Sequence, residues 1–213
     1  MEKLPILRIL ILVEIKSILR SKYLKHNILS NCYAVLIALF FIGDKNYTNE
    51  IFLIIWTCII VAFPVIGISP FFFSKDGTIY QAFLIRNISC NLYVEAKIVF
   101  VIMYALVFYA ILTPFILQCK GIVIFTYFAG ALYYLTFSLI VMTYYSSFDK
   151  YKIDHKKSLF FNFSGFSFTK VILAVPIMTP LFFWESTRKY SVGLMILFGI
   201  LGIMLFKFSI NLI

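Results

Sequence analysis

The stretch Ile98-Val-Phe-Val-Ile-Met-Tyr-Ala-Leu-Val-Phe-Tyr-Ala-Ile-Leu-Thr-Pro-Phe-Ile-Leu117 runs for twenty positions without a charged residue. As an α-helix it would rise about 30 Å, the thickness of the hydrocarbon layer of a bilayer. In that layer every backbone N–H and C=O must be paired within its own segment, which a helix achieves. The composition extends the reading to the whole chain, because 62% apolar and 13% charged residues leave too little polar surface for a water-soluble globule. A chain of 213 residues could form one soluble domain. A single buried core, however, has no need of apolar runs of this length repeated along the sequence. The fold expected is an all-α, polytopic transmembrane domain.

Working outward from that run, similar stretches place spans at residues 27–43, 51–73, 94–118, 122–145 and 191–213. One more apolar core, Val171 to Trp184, is shorter. It fits either a re-entrant segment or a full crossing that starts at Phe166 with Lys170 reaching back to the head groups. Counting it gives six spans. Before them, residues 4–25 carry Leu7, Ile11, Ile15, Ile18 and Leu19 at helical spacing, together with Arg8, Lys16, Arg20, Lys22 and Lys25. This reads as a helix in the head-group plane or as a tilted extension of the first span. Arg8, Glu14 and Lys16 interrupt its apolar run and no small-residue cleavage site follows, unlike a cleaved signal peptide. The organisation expected is a cytoplasmic interfacial helix at 1–26 and a six-span domain at 27–213, with inner loops at 74–92 and 146–170.

With six crossings, all but Lys45, Lys120, Arg188 and Lys189 of the 19 Lys and Arg residues fall on one side. The positive-inside rule makes that side the cytoplasm, giving a multi-pass protein of the inner cell membrane with both termini cytoplasmic. A five-crossing arrangement would bring Arg188 and Lys189 inside and send Lys207 out. The net charge of +10 lies between the apolar runs, where it would meet anionic phospholipid rather than nucleic acid.

Catalytic patterns are missing from the sequence. His26 and His155 have no partner at catalytic or metal-ligand spacing. Cys32, Cys58, Cys90 and Cys119 are far apart and read as free thiols, so no metal is expected. The nine acidic residues fall at span ends, in loops or in the N-terminal segment, away from the midplane positions a proton relay would occupy. No GxxxxGK[ST] loop is present to cradle nucleotide phosphates, and the chain is not expected to be an enzyme. Pro64, Pro70, Pro114, Pro176 and Pro180 punctuate the spans, read chiefly as packing kinks. Gly199 and Gly202 would permit close helix approach in the last span. Tyr127, Tyr133 and Tyr134 are open to two readings, lipid-facing bulk or the lining of a substrate path.

The most informative segment is the inner loop Ser74-Lys75-Asp76-Gly77-Thr78-Ile79-Tyr80-Gln81-Ala82-Phe83-Leu84-Ile85-Arg86-Asn87-Ile88-Ser89, which leads through Tyr93-Val94-Glu95-Ala96-Lys97 into the third span. Tyr80, Phe83 and Leu84 share one helical face, an apolar patch that a soluble partner could bury. The plainer alternative is a solvated inner loop. A second inner loop, 149–157, is strongly basic and suits lipid phosphates.

Asp76, Gly77, Thr78, Arg86, Ser89 and Lys97 resemble the pattern after the second span of permeases of type-two ABC exporters. Asp76 stands where many relatives carry Glu, and the outer segment 185–190 is shorter than usual. The basic helix before the first span is similar too. The resemblance implies a coupling helix in the 74–92 loop that docks on a separate ATP-binding cassette subunit. Its docking residues would be Lys75, Asp76, Gly77, Thr78, Tyr80, Phe83, Leu84 and Arg86. It implies a homodimer or heterodimer of permeases, no cofactor in this chain, and ATP with Mg on the partner. The runner-up is a non-transporting membrane protein, an immunity or assembly factor that binds another membrane protein.

Overall fold

The computed structural model describes residues 3–43, 50–69, 73, 88–148 and 188–212, and every regular element among them is helical. These are α1 (Lys3–Arg20), α2 (Lys22–Gly43), α3 (Glu50–Ile66), α4 (Cys90–Ile116), α5 (Gly121–Tyr133), α6 (Leu139–Ser146) and α7 (Arg188–Leu212). A π-helical turn, Tyr134–Ser138, joins α5 to α6, so 121–146 is one continuous rod. The span expected at 166–184, with its two prolines, lies outside the described residues.

Among the described residues, three helices are long and apolar enough to cross a membrane: Leu24–Gly43, Cys90–Ile116 and Gly121–Ser146. They coincide with the spans expected at 27–43, 94–118 and 122–145. Those expected at 51–73 and 191–213 overlap shorter apolar helices, Phe52–Ile66 and Tyr190–Phe206. The helix α3 runs through Pro64, which brings no N–H to the ladder, and past its end the Gly67 N–H still donates to Phe63 O, four residues back, at 2.9 Å.

The boundary between the first two helices falls at Ser21, earlier than the division at 26 read from the sequence. The Ser21 hydroxyl accepts from the Leu24 N–H at 3.3 Å, a helix-starting contact. Likewise α4 begins at Cys90, so the last residues of the 74–92 segment, Cys90 to Leu92, belong to a helix.

The interior is organised around α3, whose Thr57, Cys58, Ile60, Val61, Ala62 and Val65 are buried against α2, α4 and α5. Inside a bilayer the solvent is as apolar as the side chains, so helices associate through close packing and hydrogen bonds rather than through expulsion of water. Both devices are present. Tyr109 Oη donates to Val61 O at 2.6 Å, tying α4 to α3, and Tyr127 Oη donates to Tyr109 O at 2.8 Å, tying α5 to α4. Thr57, Thr113, Thr126 and Thr143 each donate to the carbonyl four residues back, which keeps these hydroxyls satisfied within their own helix.

The close approach expected of Gly199 and Gly202 is realised against the π turn. A Cβ on Gly199 would lie 2.7 Å from Leu132 Cγ, and one on Gly202 would run into the backbone of Phe137. The Thr136 hydroxyl is shared between Leu132 O at 2.7 Å and Gly199 O on α7 at 2.9 Å. Tyr127, Tyr133 and Tyr134 are almost wholly buried within the chain. Tyr133 sits edge-on to Tyr134 and stacks with Phe137, so these rings are packing groups of the bundle, and the lipid-facing reading does not apply to them.

Candidate functional site

The residues flanking the 74–92 segment meet at the first turns of α4. Ser89, the N-cap of α4, is extended with φ −64° and ψ 140°, and its carbonyl accepts from the Tyr93 N–H. From there the helix turns Leu92, Tyr93, Ala96 and Lys97 inward and leaves Ser89, Cys90 and Asn91 exposed. Phe73, just before the segment, lies beside Tyr93, just after it, with ring centroids 6.3 Å apart.

The next contact is ionic. Lys97 Nζ stands 4.6 Å over the Tyr93 ring and donates to Glu14 Oε1 of α1 at 2.6 Å. Both side chains are out of water, at 0% and 7% exposure. A carboxylate and an ammonium in such a setting are retained as ions only in each other's company, since removing either leaves an uncompensated buried charge. Around the pair, Leu10 of α1 packs with Leu92 and Ala96 of α4, joined by Ile6, Leu7, Ile11 and Ile88. A path of contacts therefore runs from Phe73 through Tyr93 and Lys97 to Glu14, joining the two ends of the segment to the first helix.

Of the positions carrying the sequence resemblance, Ser89 and Lys97 are described, one exposed at the helix cap and the other buried in the ion pair. Lys75, Asp76, Gly77, Thr78, Tyr80, Phe83, Leu84 and Arg86 lie outside the described residues, as does the basic segment 149–157. The role of Glu14 was not read from the sequence. The signal was available, since Glu14 is the only acidic residue between positions 3 and 43, and Lys97 is the last charged residue before the apolar run 98–117. Nothing in their spacing, 83 residues apart, pairs them.

The stripe read on α1 divides in the folded chain. Ile18 is buried and Leu7 and Ile11 pack partly against neighbours, whereas Ile15 and Leu19 are exposed beside Arg8, Lys16 and Arg20. Cys90 and Cys119 flank α4 at opposite ends. The Cys119 thiol, in the turn before α5, is pushed above the ordinary thiol range by burial. Among the described residues no group of three or more His, Cys, Asp or Glu side chains could hold a metal ion.

Compared with known proteins, residues 7–213 match the model of a family described as a family of unknown function (DUF5687). No curated protein and no solved structure matches the chain.

Proposed function

The chain belongs to DUF5687, a family of unknown function, and from its own loop pattern we propose that it is the membrane-spanning permease subunit of an ATP-driven exporter. In this reading α2, α3, α4, the α5–α6 rod and α7 are five of six spans, residues 166–184 supply the other, and α1 lies at the cytoplasmic face. Both termini are then cytoplasmic and the protein is multi-pass in the inner cell membrane, as the distribution of Lys and Arg favours. Two such chains, alike or different, enclose the path. ATP and Mg bind the partner subunit.

The loop pattern from Asp76 to Lys97 carries the proposal. The structural support is the contact path at its flanks. In this reading a partner pulling on the segment acts on its flanking residues Phe73 and Tyr93, and through Lys97 and Glu14 on α1. A rigid, desolvated ion pair suits that task because a small displacement cannot be absorbed by water entering the gap.

The test is co-purification of the full chain from its native membrane, followed by ATPase measurement. An ATP-binding subunit should be retained, and both Asp76→Ala and Arg86→Ala should reduce its retention or its stimulation by at least about tenfold, the loss of roughly 1.4 kcal/mol of coupling. If no ATPase accompanies the chain, the exporter reading fails in favour of the runner-up, an immunity or assembly factor; if both variants behave as wild type at equal expression, the 74–92 loop is not the coupling element.

A further inference from the structure

The ion pair has an electrostatic effect on the opposite side of α1. Between residues 3 and 43 the sequence contains one acidic residue, Glu14, and the fold turns it inward onto Lys97. The outward side of α1 is left with Arg8, Lys16 and Arg20 and no carboxylate, and Lys22 and Lys25 continue the exposed cations past Ser21. Between these cations stand Ile9, Leu12 and Leu19, all exposed. A face that is at once cationic and rich in leucine and isoleucine suits neither water nor hydrocarbon alone. Its match is the boundary between phosphate groups and acyl chains, where apolar side chains enter the lipid and long cationic side chains extend to the head groups.

We propose that this outward face of α1 binds the anionic phospholipid surface of the bilayer, and that burial of Glu14 against Lys97 is what makes the face selective for anionic over zwitterionic head groups. The inference rests on the membrane-spanning reading, not on the exporter reading. A carboxylate at an outward position would repel lipid phosphate, and sequestering it removes that repulsion while preserving a polar tie to α4. Each Lys or Arg held near an anionic surface favours binding by about fivefold, so the three outward cations of α1 together give a preference on the order of a hundredfold.

The full chain, purified in detergent and given equal amounts of phosphatidylglycerol and phosphatidylcholine, tests this by native mass spectrometry of the retained lipid. Wild type should retain phosphatidylglycerol selectively, and the combined Arg8→Gln, Lys16→Gln and Arg20→Gln variant should lose that selectivity. Because all three positions are exposed, the variant should melt at the wild-type temperature in phosphatidylcholine, which separates loss of binding from loss of fold. Equal retention of the two lipids by wild type overturns the proposal. So does selectivity that survives the triple change, since the lipid contact would then lie elsewhere. A cross-link between two copies through Leu12→Cys in phosphatidylglycerol nanodiscs would give the face to a second chain and overturn it as well. No ATPase or transport is measured, so failure of this inference and failure of the exporter reading are distinguishable.

Discussion

At the scale of single residues the chain concentrates its polar commitments in a few buried groups, of which Glu14 and Lys97 are the most consequential. The pair adds little net stability, because the desolvation of two ions offsets most of their attraction. This gives an asymmetric expectation. Glu14→Gln or Lys97→Met alone should cost about 3–5 kcal/mol, by stranding the other charge, whereas replacing both with apolar residues of similar volume should cost far less. Thermal unfolding of the four proteins in detergent closes the cycle, and two single costs that simply add would show that the ions do not depend on one another. Tyr93 belongs to the same unit, beneath the Lys97 ammonium and beside Phe73.

At the scale of helices, the π turn and the glycines of α7 form one joint. A π turn widens the helix by one residue, and here the widened turn brings Thr136 and the Phe137 backbone against α7. Only glycine admits that approach at position 202. Gly202→Ala should therefore cost about 1–3 kcal/mol through overpacking against backbone that has little room to move. Gly193→Ala on the same helix meets nothing within 4 Å and should be neutral or stabilising by up to about 1 kcal/mol. Melting temperatures of the two variants check this directly, and equal behaviour would show that α7 is not seated on the π turn. The α2–α3 contact is close as well. A Cβ on Gly67 would collide with the Asn31 side chain, whose Nδ2 is buried with no hydrogen-bond partner among the described residues.

At the scale of the whole molecule, the testable property is which end of α4 faces which compartment. Cys90 is exposed at its start and Cys119 is half-buried just past its end, so a single crossing by α4 puts the two thiols on opposite sides. A membrane-impermeant maleimide should label Cys119 in intact cells and Cys90 only after permeabilisation, read in C90S and C119S variants. Labelling of both from one side would refute a crossing by α4, and the reverse pattern would invert the orientation. Since burial raises the Cys119 pKa, less thiolate exists at neutral pH. Its labelling should be slower than that of an ordinary thiol and should quicken by about tenfold per pH unit until the pKa is passed.

Hydropathy alone, as in the run 98–117, was enough to read an all-helical chain with helices able to cross a membrane, because in hydrocarbon the backbone must pair locally and length and composition record that need. The positions of α4 and the 121–146 rod were legible to within a few residues for the same reason. Only the tertiary structure decided that Tyr127, Tyr133 and Tyr134 are interior packing groups, that the π turn rests on Gly199 and Gly202, and that Glu14 meets Lys97. Each of these depends on which helix lies beside which. In an apolar solvent almost any side of an apolar helix can face a neighbour, so periodicity leaves the choice open and close packing makes it.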